Sequence, residues 1–200
     1  MRLARPGRGA VADGRFSDDR GGSFCLSAAK LESDYAPVRF ARELGIFREF
    51  CARGRVLDVG CSTGAFLHNL QVRWPGDYVT LGNDVTEAAL LHAGSRGIQV
   101  RRGSLLDLDC GAERFDAVTF WAVWEHLVEP RRFLSKAADL LRPGGHCFVL
   151  VPNLGSLAMR MLGARYRYVM PDHVNYFSRA TLASFAATES RFELVTLRST

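Results

Sequence analysis

Apolar positions follow two rhythms along this chain. From Tyr35 to Cys51 they recur at helical spacing, at Val38, Leu44, Phe47 and Phe50 with Phe40 on the flank, which predicts one amphipathic helix or two. The pattern then shortens. Arg55-Val-Leu-Asp-Val-Gly60 is a compact apolar run that ends in glycine, as a buried strand does. Similar runs predict strands at Tyr78–Leu81, Ile98–Arg101, Phe115–Phe120, His146–Val151 and Phe192–Leu197. Helices are predicted over 63–71, over 86–93 with Thr86 as N-cap, over 131–142, and over 181–189 with Ser178 as cap. Pro130 and Gly144-Gly145 bracket the third of these, and Phe133, Leu134, Ala137, Ala138 and Leu141 make its apolar face. Residues 154–177 form a long connection rich in Met and aromatics. The regular alternation of strand and helix predicts an α/β fold, a doubly wound and mostly parallel sheet with helices on both faces.

Composition narrows this picture. The chain has 200 residues, 48% of them hydrophobic and 24% charged, which suits one globular domain and excludes wholesale disorder. No apolar run approaches the roughly 20 residues of a membrane span. Residues 1–23 are rich in Gly and Arg without an apolar period and read as a flexible tail, so the domain is placed at 24–200. The formal net charge is +5, and Arg2, Arg5, Arg8, Arg15 and Arg20 sit in that tail. A basic tail can touch nucleic acid, although a solvated tail explains it as well. Asp13, Asp18 and Asp19 argue against a transit peptide, and no apolar stretch after Met1 suggests a secretory signal. Cys25, Cys51, Cys61, Cys110 and Cys147 are scattered, odd in number and free of any C-x-x-C pair, which disfavours a disulfide framework and a zinc site. No metal is expected, and the compartment expected is the reducing cytoplasm.

Ligands of an open parallel sheet bind at the carboxyl ends of its strands, near the switch point. The special residues of this chain fall there. After the first strand comes Asp58-Val-Gly60-Cys61-Ser62-Thr63-Gly64, whose small residues let the backbone turn tightly and approach a ligand. After the second comes Asp84, 24 residues beyond Gly60, where a carboxylate can accept both hydrogen bonds of a ribose diol. Together they point to a nucleoside-containing cofactor. Gly60-x-Ser62-x-x-Ala65 imitates a dinucleotide fingerprint, which keeps NAD in view. Asp58 beside the loop works against a pyrophosphate, and the tighter Gly60-x-Ser62-x-Gly64 spacing favours S-adenosylmethionine.

Val56-Leu-Asp-Val-Gly-Cys-Ser-Thr-Gly64 resembles the first motif of the class I S-adenosylmethionine-dependent methyltransferases. The resemblance continues in Phe115-Asp-Ala-Val-Thr-Phe, in Glu125-His-Leu127 and in Leu141-Arg-Pro-Gly-Gly145. Pro171-Asp-His-Val-Asn-Tyr-Phe-Ser178 looks like a bacterial small-molecule and glycan-linked branch of that superfamily. It implies a Rossmann-like methyltransferase fold over about residues 35–197, with S-adenosylmethionine as cofactor. It implies that Asp58, Gly60, Cys61, Ser62 and Gly64 surround the cofactor's methionine part. Asp84 would hold the ribose, Val85 flank the adenine, Ser104 and Leu105 lie beside the adenine ring, and Trp121 close the pocket near the sulfonium. Ser62 departs from the family's glycine, and Ser104 from an aspartate that receives the adenine amino group; the Ser104 hydroxyl would accept that bond more weakly, or Asp107 would take over. Family members usually end in a seventh, antiparallel strand; its apparent lack after the predicted sixth strand reads either as a C-terminally truncated fragment or as a six-stranded sheet with an exposed edge.

Methyl transfer is an in-line displacement that mainly needs alignment, and a hydroxyl nucleophile also needs a base. His126 and His173 are the candidate catalytic bases; His68, inside a helix, reads as structural. Cys61 reads as a small packing residue rather than a reactive thiol. Tyr35 is a candidate to reach the cofactor from the N-terminal helix. The 154–177 connection reads as a lid over a small-molecule acceptor, against plain core packing, and Arg160, Arg165 and Arg167 within it read either as favouring an anionic acceptor or as a solvated basic face. A nucleic-acid methyltransferase is disfavoured, because the chain reads Trp121-Ala-Val-Trp124 where an Asn/Asp-Pro-Pro-aromatic motif would stand. A non-catalytic cofactor-binding protein and an NAD-linked oxidoreductase remain as lesser alternatives.

Overall fold

The computed structural model of the chain describes residues 33–36 and 38–198. The Arg/Gly-rich tail lies outside them. Helix α1 (Ala41–Phe50) buries Leu44 and Phe47, one helical turn apart. It starts later than the periodicity suggested, and Val38 lies exposed ahead of it. Strand β1 (Gly54–Val59) leads to α2 (Ala65–Arg73), β2 (Tyr78–Asp84) to α3 (Glu87–Ser95), and β3 (Val100–Arg102) to a short 3-10 turn at Leu105–Asp107. β4 (Phe115–Trp121) ends in a 3-10 turn at Trp124–His126, followed by α4 (Pro130–Leu140) and β5 (Leu141–Leu150). The last helices are α5 (Leu157–Leu162) and α6 (Arg179–Ala186).

The five strands form one sheet in the order β3-β2-β1-β4-β5, all parallel. β1 lies at its centre, with Val56 beside Thr80 of β2 and Ala117 of β4. Alternate β1 residues face opposite layers, as the two-residue period of a strand requires. Leu57 and Val59 join Val118, Phe120 and Trp124 with Leu134, Ala137 and Leu140 of α4. Val56 joins Leu44, Phe47, Phe66, Leu67 and Leu70 of α1 and α2. Each such side chain contributes about 1.5–3 kcal/mol by leaving water, and the two layers hold the carboxyl ends of β1, β2 and β4 rigid.

Two predicted boundaries are corrected. The paired glycines do not terminate α4; that helix stops because Leu141 is already extended. β5 begins there, pairing Leu141 with Phe115, and then takes an excursion through 142–145 before His146 pairs with Ala117. Gly144, at φ +79°, makes the excursion possible. The strand predicted at 192–197 does not form. A strand needs a neighbouring ladder, and among the described residues none lies beside this segment. Phe192 packs into the core while Leu194 and Val195 face solvent. An Arg198–Glu49 ion pair at 2.7 Å and a bond from Arg179 to the Leu197 carbonyl hold it instead. Among the described residues no helix is long and apolar enough to cross a membrane.

Candidate functional site

The strand order reverses between β1 and β4, and in an open parallel sheet that switch point is where the loops leaving the carboxyl ends form the binding crevice. The β1–α2 loop takes left-handed conformations at Gly60 (φ +69°), Ser62 (φ +48°) and Gly64 (φ +75°). A Cβ on Gly60 would stand 2.6 Å from a Val123 methyl of the loop after β4, so the two loops meet at a bare backbone. Gly60 and Cys61 both donate their amides to the Asn83 carbonyl. The Cys61 side chain is buried beneath the loop, where its sulfur would lie 2.7 Å from a Cβ on Gly82; it packs rather than faces a ligand. No side chain caps α2, so its first amide donors remain for solvent or a ligand.

Asp84 closes this arrangement. Its Oδ2 accepts the Ser62 amide at 2.8 Å and its Oδ1 the Thr86 amide at 2.9 Å. Each oxygen keeps a lone pair for further donors. Asn83 holds the strand end in place by donating to the Arg101 and Gly103 carbonyls. Val85, next to Asp84, is 51% exposed. Asp58 lies deeper. It is fully buried, accepts the Thr119 hydroxyl at 2.6 Å, and has no cation beside it among the described residues. Burial pushes its carboxyl up to about 7; the Thr119 bond lowers it and the neighbouring Asp84 charge raises it.

The adenine end departs from the expectation. Leu105 is 1% exposed and belongs to the core, so its side chain does not lie beside a ligand. The Ser104 hydroxyl accepts the Leu106 amide at 3.2 Å, a capping role that occupies one of its lone pairs. Asp107, the alternative, is exposed on the same turn. Trp121 rests against Phe66 and Phe148, with ring centroids 5.0 and 6.3 Å away, and its indole N–H is buried without an acceptor. The Tyr35 hydroxyl donates to the Thr63 carbonyl, so it reaches the loop, while the ring sits edge-on to His68. That contact fits the structural role expected of His68.

The two candidate bases come together. The His126 and His173 rings meet edge to face at 4.7 Å. His126 Nδ1 lies 3.2 Å from the Asp172 carbonyl oxygen, and the ring is partly exposed. His173 is buried, and burial lowers its basicity, as does the neighbouring His126. The turn that carries His126 is fastened to the segment that carries His173. Val174 and Asn175 donate their amides to the Glu125 carbonyl, and the Asn175 side chain donates to the Trp124 and Leu127 carbonyls. The 154–176 connection is closed at its neck by pairing of Asn153 with Phe177. Helix α5 within it buries none of its residues, which favours a covering segment over plain core packing.

Asn83, Thr119, Ala122, Glu125 and Asn175 escaped the sequence reading. Ala122, at φ +57°, repeats after β4 the left-handed turn that Ser62 makes after β1. Nothing local announces it. Glu125 lay inside a recognised motif, and its burial only emerges once residues 172–175 fold over it.

Comparison with known proteins fits this geometry. A methyltransferase-domain family matches residues 34–197. A ubiquinone biosynthesis O-methyltransferase of Cereibacter sphaeroides is 36% identical over 120 residues, 56% of this chain and 47% of that protein. One from Xanthomonas axonopodis is 37% identical over 123 residues, 58% of this chain and 51% of that protein. The chain thus spans about half the length of these relatives. In fold it resembles a SAM-dependent methyltransferase of Thermotoga maritima (TM-score 0.67, 21% identity, 84% of this chain and 77% of that one). It equally resembles the plantazolicin methyltransferase BpumL, solved with SAH (TM-score 0.67, 15% identity, 88% and 72%). The family model covers nearly all of the described residues, from 34 to 197, and so takes in the glycine turn, Asp84 and the parallel sheet alike: this chain belongs to the methyltransferase-domain family.

Proposed function

We propose that the protein binds S-adenosylmethionine and transfers its methyl group to a hydroxyl of a small molecule. The observation that carries this reading is Asp84, a carboxylate fixed by two backbone amides at the mouth of a glycine turn. The hydroxyl nucleophile is supported by the O-methyltransferase relatives. When bound, the cofactor supplies an electrophilic methyl on a sulfonium sulfur. Asp84 would accept the ribose hydroxyls, and the 60–64 loop would receive the methionine end. Asp58 would ionise to face the cofactor's positive charge, an opposite charge favouring the carboxylate that burial disfavours. His126, at the exposed edge of the paired rings, would take the acceptor's proton, with His173 behind it. The 154–176 connection would cover the acceptor and exclude water, and Arg160, Arg165 and Arg167 suit an anionic acceptor. Buried free thiols at Cys51, Cys61 and Cys110 suit the cytoplasm.

Asp58 beside the loop weighs against NAD, as it would repel a pyrophosphate. The test is transfer of labelled methyl from S-adenosylmethionine to a panel of hydroxylated small molecules. Labelled product from wild type, reduced 10²–10⁴-fold in His126→Ala (roughly the contribution of a general base), supports the reading. Label in RNA and not in the small molecules would contradict it.

A further inference from the structure

Glu125 has no place in the mechanism above, yet it is 2% exposed and its Oε2 has no hydrogen-bond partner. His173 is 8% exposed, and its Nδ1 has none either. Buried polar atoms are nearly always paired, because one left alone costs about as much as a lost hydrogen bond. These two are not bonded to each other, so each still lacks its partner. Both residues belong to one group: a ligand atom from each of Glu125, His126 and His173 lies within 4.8 Å of the other two. His126 joins the set from its part-exposed side. Its Nδ1 is 3.2 Å from the Asp172 carbonyl oxygen, which can only accept, so Nδ1 carries the proton of the neutral ring and Nε2 keeps a free lone pair. An imidazole that binds a metal is held in the same way, its second nitrogen donating to a backbone carbonyl.

We propose that Glu125, His126 and His173 form a binding site for one divalent transition-metal ion of the zinc type, which ties the returning limb of the 154–176 connection to the turn after β4. Two imidazoles and a carboxylate suit zinc and its neighbours, whereas magnesium and calcium take oxygen ligands. Zinc holds such ligands at about 2.0–2.2 Å, which sets them roughly 3.3 Å apart, so side-chain rotations of about an ångström draw the three atoms in. The backbone already holds the two segments in register. Val174 and Asn175 donate their amides to the Glu125 carbonyl, and the Asn175 side chain bonds the carbonyls on either side. No cysteine takes part, so the scattered cysteines, which spoke against a zinc site, do not bear on this one. The site stands beyond the base assignment: Nε2 of His126 takes a proton in the metal-free chain and the ion in the loaded one. It is read without turnover and does not rest on methyl transfer.

The test titrates Zn²⁺ and Mg²⁺ into the untagged full chain, stripped with a chelator, near neutral pH. Wild type should take up one equivalent of Zn²⁺ and no Mg²⁺. Glu125→Gln, close to isosteric, and His126→Ala, at the part-exposed position, should each weaken Zn²⁺ at least about tenfold, since even partners outside the ligand set cost that much. Circular dichroism shows whether each variant folds; if Glu125→Gln does not, His126→Ala decides. Co²⁺ in place of Zn²⁺ should give a spectrum without thiolate charge transfer. One equivalent of Zn²⁺ should slow trypsin at Arg165 and Arg167 severalfold in wild type and not in Glu125→Gln. Absence of stoichiometric uptake, uptake indifferent to both substitutions, or a thiolate–cobalt band overturns the site. Uptake that leaves the trypsin rate unchanged overturns the tie.

Discussion

Ser62 and Ala122 hold left-handed backbone conformations that side chains resist, and they do so on the two loops that flank the crevice. Replacing Ser62 with glycine removes that resistance. Ser62→Gly is expected to raise stability by about 0.5–1 kcal/mol in urea unfolding, with cofactor binding retained, since the loop contributes its amide rather than its hydroxyl to Asp84. Gly60→Ala does the opposite. Its Cβ meets Val123 at 2.6 Å, and separating the loops is expected to cost about 2–3 kcal/mol and most of the cofactor affinity, measured by unfolding and calorimetry. The left-handed turn at Gly60 and Gly64 was legible in the sequence because a tight turn demands a residue type at a fixed place, and Asp84 because a lone carboxylate ends the second strand. Thr119 and Asn83 were not, because their partners are made by strand pairing across long stretches of chain: Asp58 and Thr119 are brought side by side by the β1–β4 ladder. Leu105 misled for the same reason, since only the packed core shows which way the 105–107 turn faces.

Among the elements, the mark at Ser178 was met although α6 runs Arg179–Ala186, whereas Thr86 stands at the N-cap of α3 without a side-chain cap bond. Ser178 caps α6 in a reciprocal pair with Thr181, and Ser178→Ala is expected to cost about 1 kcal/mol, read as a lowered denaturant midpoint. Glycine misled where it has more than one use. Gly144-Gly145 reads as a helix stop but serves an excursion within β5, a distinction set by the partner strand and not by local sequence. The failed strand at 192–197 teaches the same point: an alternating apolar pattern becomes a strand only beside another. The connection from 154 to 176 is an element of its own, closed by Asn153 and Phe177 and fastened at Asn175. Asn175→Ala removes both side-chain bonds to the 124–127 turn. It should speed amide exchange across 154–176 and raise the acceptor KM severalfold, with cofactor affinity within about twofold of wild type.

At the scale of the molecule, two layers of apolar packing surround, among the described residues, two buried acids. Burial raises the Asp58 carboxyl from 3.8 to about 7 and the Glu125 carboxyl from 4.5 to about 7. Between roughly pH 4 and 7 the folded protein therefore keeps protons that the unfolded chain releases, and stability falls as pH rises through that window. The contribution is fully present below pH 4 and lost above 7, on the order of a few kcal/mol, and Asp58→Asn should flatten the profile measured by chemical unfolding. The same acid ties the fold to its ligand. A positively charged cofactor favours ionised Asp58, so affinity should rise with pH across neutrality. The central claim is that the crevice between β1 and β4 is a site for S-adenosylmethionine organised by Asp84. Calorimetric titration of S-adenosylmethionine, S-adenosylhomocysteine and NAD into wild type and Asp84→Ala tests it most directly. Binding of the two adenosyl sulfur compounds by wild type, weakened at least about tenfold in Asp84→Ala with no NAD binding, is the result predicted. Binding of NAD alone, or adenosyl binding indifferent to Asp84, would contradict it.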